Sequence, residues 1–368
     1  MVRPTSRLLK TLHPPPLSHA PSPSPLLYSL GLSYASKSSP PFVPPKSAYP
    51  TSGFARQPSA LGRWVDEMLR LRAGRGELVG GVEGGWTEEM QEEVGRWGAG
   101  EDFFGLVDGG GYTHLCLSDG VGGWAPQADP ALFAQSLMYH YARSAIHSPS
   151  TAPWDLLKKG FEGVLADENV AMGSGTGVGV GLGETGELRG VNLGDSGVTI
   201  LRRDEEVYTT PVQTHYFNCP LQLTKAPLGQ SDGLAQDRPE DGFRFRYDLE
   251  PGDVVIIYTD GLSDNLPAPH LSALSSRISA LLAHPSNTHL SPSDRAAERA
   301  RLLADALVGY GRMAMQRTGE EMVVGKDGKK ERGWRTPFEV EAEKEGLRFL
   351  GGKVDDITVM TAVVSERI

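Results

Sequence analysis

The chain's pattern predicts an α+β fold of stacked layers rather than a doubly wound parallel sheet, on three grounds. Strand-like segments come in blocks with helices between the blocks, instead of alternating one for one. Connections inside the longest strand block are short and turn-like, as at "ETGE". The helices show an apolar face at helical spacing, and two of them open on cap signals. With 368 residues, 39% of them hydrophobic, the chain can fill a sizeable core.

Taken in order, folded structure is expected from "LLYSLGLSYAS" onward. Residues 48–98 are rich in glycine and charge and look like an elaboration. They hold one helix, "LGRWVDEMLRLR", with Trp64, Met68 and Leu71 on a face. "THLCLS" alternates as a half-buried strand and ends at Asp119. Asp129 and Pro130 are an N-cap and first-turn pair for a helix in which Phe133, Leu137 and Tyr141 recur; "PWDLLKKGFEGVLADEN" repeats the pattern through Leu157, Phe161 and Val164. Residues 173–208 read as a β-meander. "GDVVIIY" is a buried strand just before Asp260, and Ser291, Pro292 and Asp294 open a helix running through Leu303, Leu307 and Tyr310. Residues 311–352 look charged and irregular, and "VDDITVMTAVV" closes the chain as a strand introduced by paired acids.

The net charge of −10 hides a basic front, since no acid precedes Asp66 while seven Lys or Arg do. The acidic body repels phosphodiester backbones, so nucleic acid is not expected as a partner, whereas cations are. Arg3, Arg7 and Lys10 among Leu and Ser give residues 1–26 the pattern of a mitochondrial transit peptide, with the matrix as destination. Cys116 and Cys219 form no framework that implies an oxidising compartment. No apolar stretch reaches the roughly 18 residues that a membrane span needs.

One local grammar recurs: a strand adjoins an acid at Asp119, at Asp260, and at Asp355 with Asp356, and Glu101 with Asp102 leads into the apolar "FFGLV". If these strand ends converge, the crowded carboxylates call for a multivalent cation. An all-oxygen donor set suits magnesium or manganese rather than zinc. Two such ions about 3.5–4 Å apart can clamp a phosphoryl group and turn water into a nucleophile.

The ordered series "GEDFF", "LSDGVGGW", "GSGTG", "VNLGDSG", "IIYTDGLSDN" and "GGKVDDITV" resembles the successive motifs of the metal-dependent, type 2C serine/threonine protein phosphatases, from about residue 27 to 364. "HYFNCPLQL" at 215–223 is similar to the mitochondrial branch of that family. The resemblance implies a four-layer α-β-β-α sandwich of two antiparallel sheets flanked by helices, occupying 27–368 with irregular insertions near 48–98 and 311–352. It implies a monomeric enzyme that hydrolyses phosphoserine and phosphothreonine in proteins by direct attack of a metal-bridging hydroxide. Under it, Asp119 and the Gly120 carbonyl, with Glu101, Asp260 and Asp355, hold two Mg²⁺ or Mn²⁺ ions; Asp119, Asp260 and Asp355 are the catalytic acids. Asp102 and Asp356 support them, and Asp195 and Asp264, with Asp260, match a third and weaker metal site.

Two departures from the family pattern matter. Val121 stands where many members have a histidine acid, which leaves proton donation to metal-bound water; Trp97 stands where many have a phosphate-binding arginine, which leaves Arg96 as the docking candidate. His215 has no acid beside it in the chain and reads as structural. "GLGETG" at 181–186 precedes a strand rather than a helix, which argues against a dinucleotide site. The rival from another class is an inactive pseudophosphatase that binds phosphoproteins.

Overall fold

The structure is a computed structural model that describes residues 25–42, 53–73, 97–227, 229, 233–324 and 330–367. Residues 1–24, nearly all of the segment read as a transit peptide, and Arg96 lie outside these residues. Ten strands form two five-stranded sheets: β1 (Leu26–Ala35), β2 (Phe103–Gly109), β3 (Tyr112–Ser118), β4 (Gly177–Gly183), β5 (Glu187–Leu193), β6 (Gly197–Arg202), β7 (Glu205–Thr209), β8 (Phe243–Asp248), β9 (Val254–Tyr258) and β10 (Ile357–Glu366). The described helices are α1 (Ala60–Ala73), α2 (Pro130–His147), α3 (Pro153–Ala166), α4 (Asp260–Ser263), α5 (Ala268–Leu282), α6 (Pro292–Met315) and α7 (Pro337–Lys344).

One sheet has the order β1-β10-β9-β6-β7 and the other β8-β5-β4-β3-β2, and every neighbouring pair is antiparallel. Strand alternation sorts the core. Val254, Ile256 and Tyr258 of β9 point to α5 and α6, among Leu271, Leu303 and Leu307. Val255 and Ile257 point the other way, into the core shared with the second sheet. The alternating glycines of β4 do a related job on that sheet. A methyl group on Gly179 would meet the Tyr141 hydroxyl at 2.6 Å, so glycine lets α2 lie close to the strand while Val178 and Val180 fill the inter-sheet core. Helices α2 and α3 cover this sheet and α5 and α6 the other, which makes the four-layer α-β-β-α sandwich.

The capping signals act as the sequence suggests: Asp129 accepts from Ala131 N at 3.0 Å and Ser291 from Asp294 N at 3.1 Å. Two expectations need correction. On α1 the buried apolar side chains are Leu61, Val65, Met68 and Leu69, with Leu71 37% exposed; Trp64 packs at the edge, 5.5 Å from Phe103 and Tyr139, so the helix is turned from the expected face. Residues 311–352 are not irregular throughout. They hold the end of α6, a hairpin pairing Met322–Val324 with Lys330–Arg332, and α7. Charge organises this segment: buried Glu339 takes Arg332 at 2.7 Å, Arg335 at 2.9 Å and Gly351 N at 3.0 Å. No helix among the described residues is long and apolar enough to cross a membrane.

Candidate metal centre

Register brings the acids together. Phe103 pairs with Ser118, so Glu101, Asp102 and Asp119 leave one end of the second sheet side by side. Tyr258 pairs with Val359 and with Gly197, so Asp260, the Asp355–Asp356 pair and Asp195 gather at one end of the first sheet. Hydrogen bonds join the two ends: Thr259 Oγ1 donates to Asp102 Oδ2 at 2.8 Å, and Glu101 N donates to Asp356 Oδ2 at 3.2 Å. Asp264 comes directly after α4 and reaches the same cluster through Lys353.

The glycines of the motifs are demanded by this convergence. A side chain on Gly120 would meet Glu101 O at 2.6 Å and Pro130 O at 2.7 Å, while one on Gly261 would collide with Asp356 O. Past Asp119 the backbone pairs with "GSGTG": Thr176 N donates to Asp119 O at 2.9 Å and Val121 N to Ser174 O at 3.0 Å. Thr176 Oγ1 accepts from Asp119 N at 3.0 Å, which fixes the direction in which the chain leaves the strand.

Two residues that the sequence reading passed over sit among the acids. Lys37 Nζ lies 2.7 Å from Glu101, 3.3 Å from Asp355 and 3.1 Å from Asp356; Lys353 Nζ lies 2.7 Å from both Asp260 and Asp264 and 3.0 Å from Asp355. The quoted motif "GGKVDDITV" contains Lys353, but Lys37 counts in the sequence only as part of the basic front. Asn265 clamps the Lys353 backbone from both sides, at 3.0 Å and 2.8 Å.

Electrostatics mark the crowding. Burial, then the charges of Asp260, Asp102 and Asp355, hold Asp119 well above the usual carboxylate range. Burial followed by Asp356 pushes Glu101 up to about 7, and burial followed by Asp260 pushes Asp195 up to about 7. Asp102 and Asp264 are likewise raised, chiefly by burial. Asp355 goes the other way: burial would raise it, but Lys353 and Lys37 bring it down to about 2.

The donor set fits a hard divalent cation in its chemistry. It is all oxygen, and Asp102 Oδ1 and Asp260 Oδ1 are buried with no hydrogen-bond donor. Among the described residues, however, no three acids already surround one point. Ammonium nitrogens lie between them.

The fold brings His215 an acid that is not beside it in the chain: Asp237, 22 residues on, lies 2.9 Å from its Nε2. The same carboxylate oxygen accepts from Gln222 N at 2.7 Å. Gln222 Oε1 accepts from Ser174 Oγ at 2.6 Å, and Ser174 Oγ accepts from Trp124 Nε1 at 2.7 Å. The "HYFN" hairpin is thereby tied to the turn after Asp119.

No family model matches the chain. It is 32% identical over 254 residues to the probable protein phosphatase 2C 55 of Arabidopsis thaliana, covering 68% of this chain. The match spans about half of the plant relatives, 45% of that protein and 51% of the probable protein phosphatase 2C 80. It is 30% identical over 256 residues to the protein phosphatase PTC7 homolog of Xenopus laevis, covering 68% of this chain and 77% of that one. Among solved structures, the photosystem II phosphatase PBCP superposes with a TM-score of 0.55 over 76% of this chain and 95% of its own, at 23% identity, a likeness of fold. Sequence and architecture thus agree, and the chain belongs to the type 2C protein phosphatase family, in its PTC7 group.

Proposed function

We propose that the chain is a protein serine/threonine phosphatase whose two Mg²⁺ or Mn²⁺ ions are held by Glu101, Asp119, Asp260, Asp355 and the Gly120 carbonyl, within a catalytic domain spanning 27–368. The observation that carries this reading is the meeting of strand-end acids from both sheets, with buried carboxylate oxygens that lack a donor. Bound there, divalent ions would supply a nucleophile from water near neutral pH and neutralise charge on the phosphoryl group.

The chain's own residues set the geometry for that chemistry. Asp119 lies against Asp260 and within electrostatic reach of Asp355, and the three would share ligand duty. Asp102 and Asp356 orient these acids through Thr259 Oγ1 and the Glu101 and Lys37 amides. Asp195 and Asp264 extend the cluster beside Asp260 and would serve a third, weaker ion. Val121 offers no proton, so none of the motif's side chains next to Asp119 serves as a leaving-group acid. Arg96 remains a candidate for phosphate docking.

Substrates are phosphorylated proteins, the working unit is a monomer, and the leader directs it to the mitochondrial matrix. The test is turnover of phosphoserine and phosphothreonine peptides by the purified chain. Activity should require added Mn²⁺ or Mg²⁺, vanish with chelator, and leave no phosphorylated protein. A trapped phosphoenzyme would replace direct hydrolysis by a covalent route.

A further inference from the structure

The two lysines in the acid cluster belong to none of the roles above. Their ammonium groups touch five carboxylates, and Asp355 is shared, with Oδ1 on Lys37 and Oδ2 on Lys353. That is how a carboxylate bridges two cations. The oxygens engaged, Glu101 Oε2, Asp260 Oδ2 and both of Asp355, belong to the same acids that the metal-centre reading assigns as direct ligands. An ammonium 2.7–3.3 Å from such an oxygen occupies one of its lone pairs and repels a second cation placed beside it.

We propose that Lys37 and Lys353 are resident counter-cations of the metal-free centre, so that uptake of divalent ions is an exchange in which the ammonium groups are displaced. The inference rests on the metal-centre reading and deepens it: these lysines, rather than the carboxylates alone, set how tightly the centre takes up ions. Like charges this close repel, and in the metal-free protein the two ammoniums offset part of that repulsion. Each has somewhere to go. Lys37 is 23% exposed in its side chain and can swing into solvent. Lys353 Nζ already lies 5.1 Å from the centroid of Phe338, whose ring face can keep a displaced ammonium. Phe338 is itself packed by Phe217 of the "HYFN" hairpin at 5.0 Å and by Phe349 at 4.8 Å, so this resting place is built into the fold.

Calorimetric titration of the metal-free full chain with Mn²⁺ tests the exchange without reference to turnover. Lys37→Met and Lys353→Met remove a competing positive charge a few ångströms from the ion, and each should tighten Mn²⁺ binding by about tenfold or more. Each should also lower the metal-free melting temperature and enlarge the rise that Mn²⁺ produces. Lys37→Arg and Lys353→Arg keep the charge and should bind like the parent. If a methionine variant does not fold, Lys→Gln at the same position is neutral, can still donate to a neighbouring acid, and carries the same expectation. Neutral variants that bind Mn²⁺ no more tightly than the parent overturn the exchange and leave the metal centre standing. A parent that takes up no Mn²⁺ overturns the metal centre, and the exchange with it.

Discussion

The pH response of single carboxyls gives the centre a signature at the residue scale. Glu101 and Asp195 are each pushed up to about 7, first by burial and then by a neighbouring carboxylate. A carboxyl whose value is higher in the folded than in the unfolded chain stabilises the fold fully below its unfolded value, and that contribution is lost as pH rises through its folded value. Asp355, held down at about 2, contributes above its unfolded value and loses this only in strong acid. The metal-free protein should therefore melt at progressively lower temperature from about pH 5 to about pH 8, while Mn²⁺ uptake strengthens over the same interval because ions displace protons. A melting temperature that climbs across that interval would contradict the crowding. Thr259 is a second test: its hydroxyl donates to Asp102 and accepts from Thr358 N, so Thr259→Val should cost about 1–3 kcal/mol in denaturant unfolding. The acids are legible in the sequence because an acid at a strand end is a local pattern. Lys37 is not, because its partners lie 64 and 318 residues away and nothing local announces them. Asp237 is hidden from His215 for the same reason.

Spacing made some elements readable and others not. The caps at Asp129 and Ser291 and the strand "VVIIY" each carry their own signal. In α5 the apolar positions Leu271, Leu274, Ile278 and Leu282 keep helical spacing, but Pro269 and four serines dilute the stripe. The α7 segment is ordered by ion pairs around Glu339, which hydrophobic periodicity cannot see. The alternating glycines of β4 are informative once α2 is known to lie on them. Gly179→Val should force Tyr141 and its helix outward and destabilise the fold by about 1–3 kcal/mol, read from the shift in denaturant midpoint. A neutral substitution would mean that α2 packs elsewhere.

The whole molecule joins a basic front to an acidic body, and these make separate predictions. Fused to a reporter, residues 1–60 should carry it into mitochondria, since arginines without acids favour entry along a negative-inside potential. A reporter left in the cytosol would sink that location. The body's layers were legible because blocks of strands and helices differ in period. Convergence of the acids was not, since it depends on which ends of two sheets meet, and that is decided by pairings such as Thr259 with Asp102. If the acids converge in order to hold the ions that do the chemistry, Asp119→Asn should separate metal-dependent turnover from folding. Phosphopeptide turnover and thermal melts, with and without Mn²⁺, should be compared between variant and parent. Turnover should fall by orders of magnitude. The metal-free variant should be as stable as the parent or more so, by up to about 2 kcal/mol, because a carboxyl whose ionisation burial and its acidic neighbours oppose gives way to a neutral amide and no lysine loses a partner. Its stabilisation by Mn²⁺ should largely disappear. A variant that keeps both its turnover and its Mn²⁺ response would show that Asp119 merely caps a turn and holds no catalytic ion.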